Sequence, residues 1–386
     1  MDCSGIFKII DKLNDRYADV WEEVLNIESP SNFKEGVDAV GDYFISLSKE
    51  KGWRIERFPM EKFGDVISIT MNPDSKKAPV TLSGHIDTVH PVGLFGSPAA
   101  RREGDILYGP GAMDCKGGVV AGFLAMDALN EWGYTDRPVM MLLQTNEEIG
   151  SGVANKAPIR LICEKAKDSA AFLNLEGHEE YFKGKACLER KGIAGFIFRV
   201  TGISTHASYC AREGASAIVE AAHKIIELEK VKEENGITIS CGVIKGGSVR
   251  NTVPGECEFQ IDVRYSTEGE FERAREIIQR VADTVYLPGC SCEVTMNCVR
   301  AAMEKCDRNL DLLAVANKAF EENGLSTLAS GKRNGGSDAA DVTAYGIPCL
   351  DSMGVGGERA HSKEEYGVIS SLSESAKRLV SIITAL

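Results

Sequence analysis

Three apolar runs of strand length each lead into ionisable residues, and this recurrence limits what the 386-residue chain can become. Val80 to Ser83 leads into Gly84-His85-Ile86-Asp87, Val139 to Leu143 into Asn146-Glu147-Glu148, and Ala170 to Leu175 into Glu176. A strand apolar on both faces needs a covering layer on each, which is the habit of parallel strands sandwiched by helices. Helical segments stand around these runs. Ile6, Ile10, Leu13, Tyr17, Val20 and Val24 recur at helical spacing, Val37, Val40, Phe44 and Leu47 mark a second helix stopped near Gly52, and Val119 to Trp132 suits a packed third. Ile55 to Phe58 and Val66 to Thr70 read as further strands. The alternation predicts an α/β fold with a mostly parallel sheet. In such sheets ligands bind beyond the carboxyl ends of the strands, where His85, Glu147, Glu148 and Glu176 emerge.

The pattern then changes. Ile193 to Val200, Ile237 to Ile244, the alternating Cys257, Phe259, Ile261 and Val263, and Cys292 to Met296 read as strands, with helices at Ala215 to Leu228 and Phe271 to Val285. This β-α-β-β-α-β order is the ferredoxin-like layout. The chain is also too long for one ordinary core. An α+β unit inserted over 188–299 leaves a first domain made of 1–187 and 300–386. That domain resumes with a helix through Leu310, Leu313 and Phe320, then a strand from Ile347 to Leu350. The glycine-rich Gly354-Val355-Gly356-Gly357 and His361 follow, and Ser371 to Leu386 closes as a helix.

Composition excludes some partners. The net charge of −13 argues against nucleic acid and anionic membrane surfaces. No apolar run is long enough to span a bilayer. The twelve cysteines form no C-x-x-C, and Cys290 and Cys292 alternate on one strand face without needing to pair. Met1-Asp2-Cys3-Ser4-Gly5 is acidic and runs into a helix rather than a secretory signal. Reduced cysteines in a cytoplasmic protein are the expectation.

Taken singly, the polar residues have plain readings. His85-x-Asp87 can be a satisfied pair, Glu147-Glu148 a solvated turn, His361 a surface residue, and Gly117-Gly118 an aid to helix packing. Together they do more. His85, Asp114, Glu148, Glu176 and His361 can build two metal sites if one carboxylate bridges, each with a histidine nitrogen, its own carboxylate and an open position for water. In an extended chain residues i and i+2 face one side, so the Asp87 carboxylate is expected to hold the second N–H of His85. Three converging carboxylates would repel without cations. Two divalent cations outweigh them, which also suits a substrate bearing a carboxylate. Glu147 is left over as a general base that can return its proton to a leaving amine, which is hydrolytic chemistry.

Gly84-His85-Ile86-Asp87-Thr88-Val89, Gly109-x-Gly-x-Met-Asp114-x-Lys-Gly-Gly118, Thr145-Asn146-Glu147-Glu148-Ile149-Gly150-Ser151 and Gly356-x-x-x-x-His361 follow one another in order. They resemble the successive motifs of the two-zinc aminoacylase/carboxypeptidase family, above all its carboxypeptidase G (glutamate carboxypeptidase) branch, from about residue 6 to the end. The resemblance implies a zinc exopeptidase-like catalytic domain with an inserted dimerisation and lid domain. It implies two Zn²⁺ per chain, with other divalent metals as substitutes. His85 and Glu176 would bind one zinc, Glu148 and His361 the other, and Asp114 would bridge, followed by a cis peptide to Cys115. Cys115 stands where relatives often have Asp or Met, and we read it as a packed side chain.

By the same resemblance Asp87 orients His85 and Glu147 is the base. His206, in Gly202-Ile203-Ser204-Thr205-His206-Ala207-Ser208, stabilises the oxyanion. Asn251, Arg264, Arg333 and Gly356 contact substrate, with Arg333 a candidate for the substrate carboxylate. Arg264 has an even alternative, a salt bridge on the strand surface. His90, His178 and His223 receive no role. The implied activity is hydrolysis of the amide bond next to a free carboxylate in small peptides or N-acyl amino acids. Release of C-terminal glutamate is one form of it. An N-acyl amino acid deacylase and a dipeptidase are the enzymatic alternatives. A metal-binding interaction scaffold is the non-enzymatic one, and Glu147 speaks against it. The expected assembly is a homodimer through 188–299, with no nucleic-acid or membrane partner.

Overall fold

The three apolar runs lie side by side. In the computed structural model, which describes residues 2–150, 156–210, 212–234 and 236–386, Val80–His85 pairs in parallel with Val139–Gln144 on one side and Ala171–Asn174 on the other. All residues of these strands are buried. Cys349–Leu350 continues the sheet in parallel, while Val66–Met71 and Arg54–Phe58 complete the other edge in antiparallel fashion. The fold is α/β with a mostly parallel sheet, as expected. Its register sets His85 opposite Gln144 and Ser83 opposite Asn174, so the segments carrying Asp87, Glu147, Glu148 and Glu176 leave from one end. Ser151, the last residue of the third motif, lies outside the described residues.

Helix Lys116–Trp132 packs with Ser4–Leu25 and Ser370–Ala385. Its first turn touches the sheet backbone to backbone: a Cβ at Gly118 would lie 1.8 Å from the Leu175 carbonyl oxygen. The glycine therefore sets the distance between this helix and the strand end that presents Glu176.

Several elements go beyond the expected ones. Helix Ala157–Ala166 buries Ile159, Ile162, Cys163 and Ala166, a helical spacing that the sequence reading passed over. A small antiparallel sheet joins Arg101–Glu103, Ile106–Tyr108, Tyr366–Val368 and Gly357–Glu358. Strands of two or three residues hold too few positions for a period to register.

The chain divides into two compact units: Met1–Leu188 with Lys305–Lys332 and Ser337–Leu386, and Glu189–Glu304 with Arg333–Gly336. The second unit thus runs past the expected 299 and takes in a short returning segment. Hydrogen bonds explain the return, since Arg190 Nη1 donates to Gly335 O at 3.2 Å and Lys191 N to Arg333 O at 3.4 Å. Within this unit the sheet order is Thr238–Gly246, Glu256–Tyr265, Gly192–Thr201, Ser291–Arg300, all antiparallel, with helices Ala217–Leu228 and Glu268–Asp283. Phe198 stacks on Phe259 across two strands with centroids 4.5 Å apart.

Candidate active site

Strand ends and two loops bring five donor residues together in the first unit. His85, the last residue of its strand, points Nε2 at Asp114 Oδ1 at 2.9 Å and lies 3.7 Å from Glu176 Oε1. His361 Nε2 lies 3.3 Å from Asp114 Oδ2 and 3.2 Å from Glu148 Oε2. The two oxygens of Asp114 therefore face different histidines, and each histidine has a further carboxylate beside it. Asp114 sits on a loop made possible by Gly111, whose φ of +80° suits glycine. His361 itself takes φ +64°, a left-handed conformation for a non-glycine residue in a loop that turns between two short strands. The Asp114–Cys115 peptide is cis.

Cys115 Sγ and the His85 and Glu176 donor atoms lie within 4.8 Å of one another. The thiol is fully buried and donates to the Leu175 carbonyl at 3.1 Å, so it is packed beneath the donors.

One expectation needs correction. His85 Nδ1 donates to the main-chain carbonyl of Asp87 at 2.9 Å, while the Asp87 carboxylate is 3.6 Å away. The strand stops at His85, so the two-residue alternation that would align the side chains no longer applies. The carboxylate turns instead to the neighbouring loop. It accepts from Glu147 N at 3.1 Å, Glu148 N at 3.3 Å and the Ser31 hydroxyl at 2.6 Å. Asp87 thus orients His85 through its backbone and the Glu147–Glu148 turn through its side chain.

The charges are strongly coupled. Burial opposes ionisation of Asp114, but hydrogen bonds from His361 and His85 outweigh it and hold the carboxyl far below its ordinary range. Donating to the Asp114 and Glu148 carboxylates raises His361 to about 11. Burial and the adjacent Asp114 charge push Glu148 up to about 8. Burial works against charging His85, yet the Cys115 sulfur and the Asp114 and Asp87 carboxylates outweigh it and its pKa stands well above the usual value. Burial pushes the Cys115 thiol well up.

Two imidazoles and three carboxylates, grouped around one shared carboxylate, suit two divalent cations of borderline hardness. The model of peptidase family M20/M25/M40 matches residues 81–385. The chain belongs to this family. It is a metallo-hydrolase acting on peptide or amide bonds. It is 29% identical over 360 residues to carboxypeptidase G2 from Pseudomonas sp. (strain RS-16), covering 91% of this chain and 84% of that protein. Aminopeptidase PepT from Bacillus cereus shares the fold at TM-score 0.78 and 20% identity, over 96% of this chain and 98% of that one. So does YxeP from Bacillus subtilis, a dinuclear metal-binding peptidase of family M20, at TM-score 0.72 and 16% identity over 97% and 98%.

The remaining candidate residues of this M20 chain are spread over both units. His206 is exposed and pairs with Thr252 in a short ladder, which brings it beside Asn251, whose carbonyl accepts from Ala207 N at 2.9 Å. His206 Nδ1 accepts from Ser208 N at 3.3 Å, so the neutral ring carries its proton on Nε2, the donor form. This is the loop-capping contact, and it leaves Nε2 as the donor. The Arg264 guanidinium forks onto Asp262 at 2.6 and 3.2 Å, the strand-surface salt bridge weighed against substrate contact. Arg333 is grouped with the second unit and Gly356 with the first. Gly356 N donates to Ser371 Oγ at 2.9 Å, and a Cβ there would meet His178 at an ordinary 3.4 Å.

Two buried residues escaped the sequence reading. Lys116 Nζ donates to Ile27 O at 2.7 Å and Val24 O at 3.2 Å, covering carbonyls at the end of the first helix. Burial lowers its pKa to about 7. Glu365 pairs with His90 at 2.6 Å. Lysine two residues after the bridging position and glutamate four residues after His361 were visible as letters, but neither has a periodic signal.

Proposed function

We propose that this M20 metallo-hydrolase is a two-zinc carboxypeptidase that cleaves the amide bond next to a free carboxylate in small peptides or N-acyl amino acids, C-terminal glutamate being one residue it releases. The observation that carries the reading is the division of the Asp114 oxygens between His85 and His361. In this reading His85 and Glu176 hold one zinc, Glu148 and His361 the other, and Asp114 lies between. Bound there, the cations supply Lewis acidity to the scissile carbonyl and make water more acidic. Glu147, buried next to Glu148, takes the proton of the attacking water and passes it to the leaving amine.

His206 Nε2 donates to the oxyanion. Asn251, Arg264, Arg333 and Gly356 hold the substrate, with Arg333 on its carboxylate. The likeness to carboxypeptidase G2 favours a peptidase over a deacylase.

Two further points belong to the proposal. The chain forms a homodimer through the second unit, where the edge strand Thr238–Gly246 exposes Val243 and Ile244. It works in the cytoplasm, where free thiols such as Cys290 and Cys292 persist. No helix among the described residues is long and apolar enough to cross a membrane.

The test is turnover of a panel of peptidyl- and N-acyl-amino acids by zinc-loaded enzyme, each beside its C-terminal amide. Cleavage should require the free carboxylate. Equal turnover of the amides would overturn this substrate class.

A further inference from the structure

Glu365 is a buried carboxylate with no part in the proposed chemistry. Its side chain is 1% exposed. Oε1 accepts from Met113 N and Asp114 N, both at 3.0 Å, and Oε2 accepts from Gly111 N at 3.4 Å and faces His90 Nε2 at 2.6 Å. Its own backbone joins the same construction: Gly109 N donates to Glu365 O at 3.2 Å, and Glu365 N donates to Ser362 O at 3.0 Å. The next residue, Tyr366, pairs with Tyr108, the residue before Gly109.

These contacts meet at the parts of the chain that carry candidate ligands. The loop 109–115 carries Asp114. The hairpin turn 359–365 carries His361. His90 follows His85 by five positions on the segment leaving the central strand. A buried charge is costly unless hydrogen-bonded, and buried N–H groups need acceptors. One carboxylate meets both needs here, and it ties three ligand-bearing segments into one body.

We propose that Glu365 is a positioning residue for the metal centre, which sets the Asp114 carboxylate through the Met113 and Asp114 amides and is itself held by His90. The inference rests on the two-metal reading above. Groups that orient metal ligands typically contribute about 10–100-fold in affinity or activity. A merely structural Glu365 would change stability and leave the affinity of folded protein for metal unmoved.

The experiment measures zinc affinity by competition with a chromophoric chelator, together with the visible spectrum of the Co²⁺-loaded protein. Wild-type protein should take up two equivalents of zinc per chain. If it takes up none, the two-metal reading fails, which is a separate outcome from failure of the Glu365 inference. In Glu365→Gln the amide oxygen can still accept from Met113 and Asp114, but an NH₂ replaces the acceptor facing His90 and Gly111. Zinc should bind about 10–100-fold more weakly. The Co²⁺ bands should shift, and kcat at saturating zinc should fall with KM unchanged. Folded Glu365→Gln with wild-type affinity and an unchanged spectrum overturns the inference. If that variant does not fold, His90 decides. His90→Gln keeps a donor to Oε2 and should retain affinity, whereas His90→Leu should lose it, and equal affinities in the two overturn the inference.

Discussion

Replacing Asp87 by Asn separates two jobs that a histidine-orienting aspartate would combine. The main-chain carbonyl of residue 87, which holds His85 Nδ1 at 2.9 Å, survives the change. The carboxylate does not, and it accepts from Glu147 N, Glu148 N and the Ser31 hydroxyl. The hydroxyl can turn and accept from the new NH₂. The single amide oxygen can serve one of the two backbone N–H groups, and the other meets the NH₂. The loss is one hydrogen bond to a charged group, about 1.5–3 kcal/mol. Expressed as misplacement of Glu147 in the transition state, that is about 10–100-fold in kcat. Zinc affinity should stay within a few-fold, because the bond to His85 persists. The assay is kcat and KM at saturating zinc beside a chelator competition for the metal. Wild-type kcat in the fully loaded variant, together with a tenfold or greater loss of zinc affinity, would refute the reasoning and return the carboxylate to His85.

Glu147→Gln should retain both metals and substrate binding while kcat falls about 10²–10⁴-fold; turnover within a few-fold of wild type would give Glu147 another task. Metal uptake should release protons, because His361, raised to about 11, and Glu148, raised to about 8, are protonated at pH 7 in metal-free protein and must deprotonate to bind. We expect about two protons per chain, one from each, read with an indicator in weak buffer. The same shifts set stability: a raised folded-state pKa contributes fully below the ordinary value and is lost as pH rises through the folded one. The Tm of metal-free protein should therefore fall between about pH 6 and 9 more steeply than that of zinc-loaded protein, and parallel profiles would contradict it.

In the second unit, Lys224 and Glu220 form an ion pair with both side chains 1% exposed, and Lys224 also donates to Val281 O and Ala282 O. Lys224→Met removes the counter-charge of buried Glu220, leaving it only the Tyr286 and Leu287 backbone N–H groups, and should cost about 3–5 kcal/mol in calorimetric unfolding. Glu220→Gln added to it should recover part of that, and a neutral single variant would show that the pair is hydrated. In the proposed homodimer, His206→Ala and Glu147→Gln should each be nearly inactive. Their heterodimer should regain activity if His206 serves the partner chain's site, and absence of rescue in verified heterodimers excludes a shared site.

Burial writes itself into each element, as an unbroken apolar run in the parallel strands and as a period in the helices and the half-buried strands, so these and the second unit's strand order were legible from residues close in sequence. The donor residues were legible for a related reason: His85, Glu148 and Glu176 come just where an apolar strand must stop, and charged groups at such ends need partners. What only the tertiary structure decided depends on how loops close. The Asp87 carboxylate serves the Glu147–Glu148 turn because the strand ends two residues before it, at a point no periodicity marks. Arg333–Gly336 joins the second unit through backbone carbonyls, which have no letter in a sequence. Glu365 meets Asp114 N across 251 positions of chain, a contact set by packing of short strands rather than by any local pattern. Residue types set which chemistry the chain can perform, and the closing of its loops sets which atoms face one another, because a hydrogen bond depends on distance and angle in space rather than on separation along the chain.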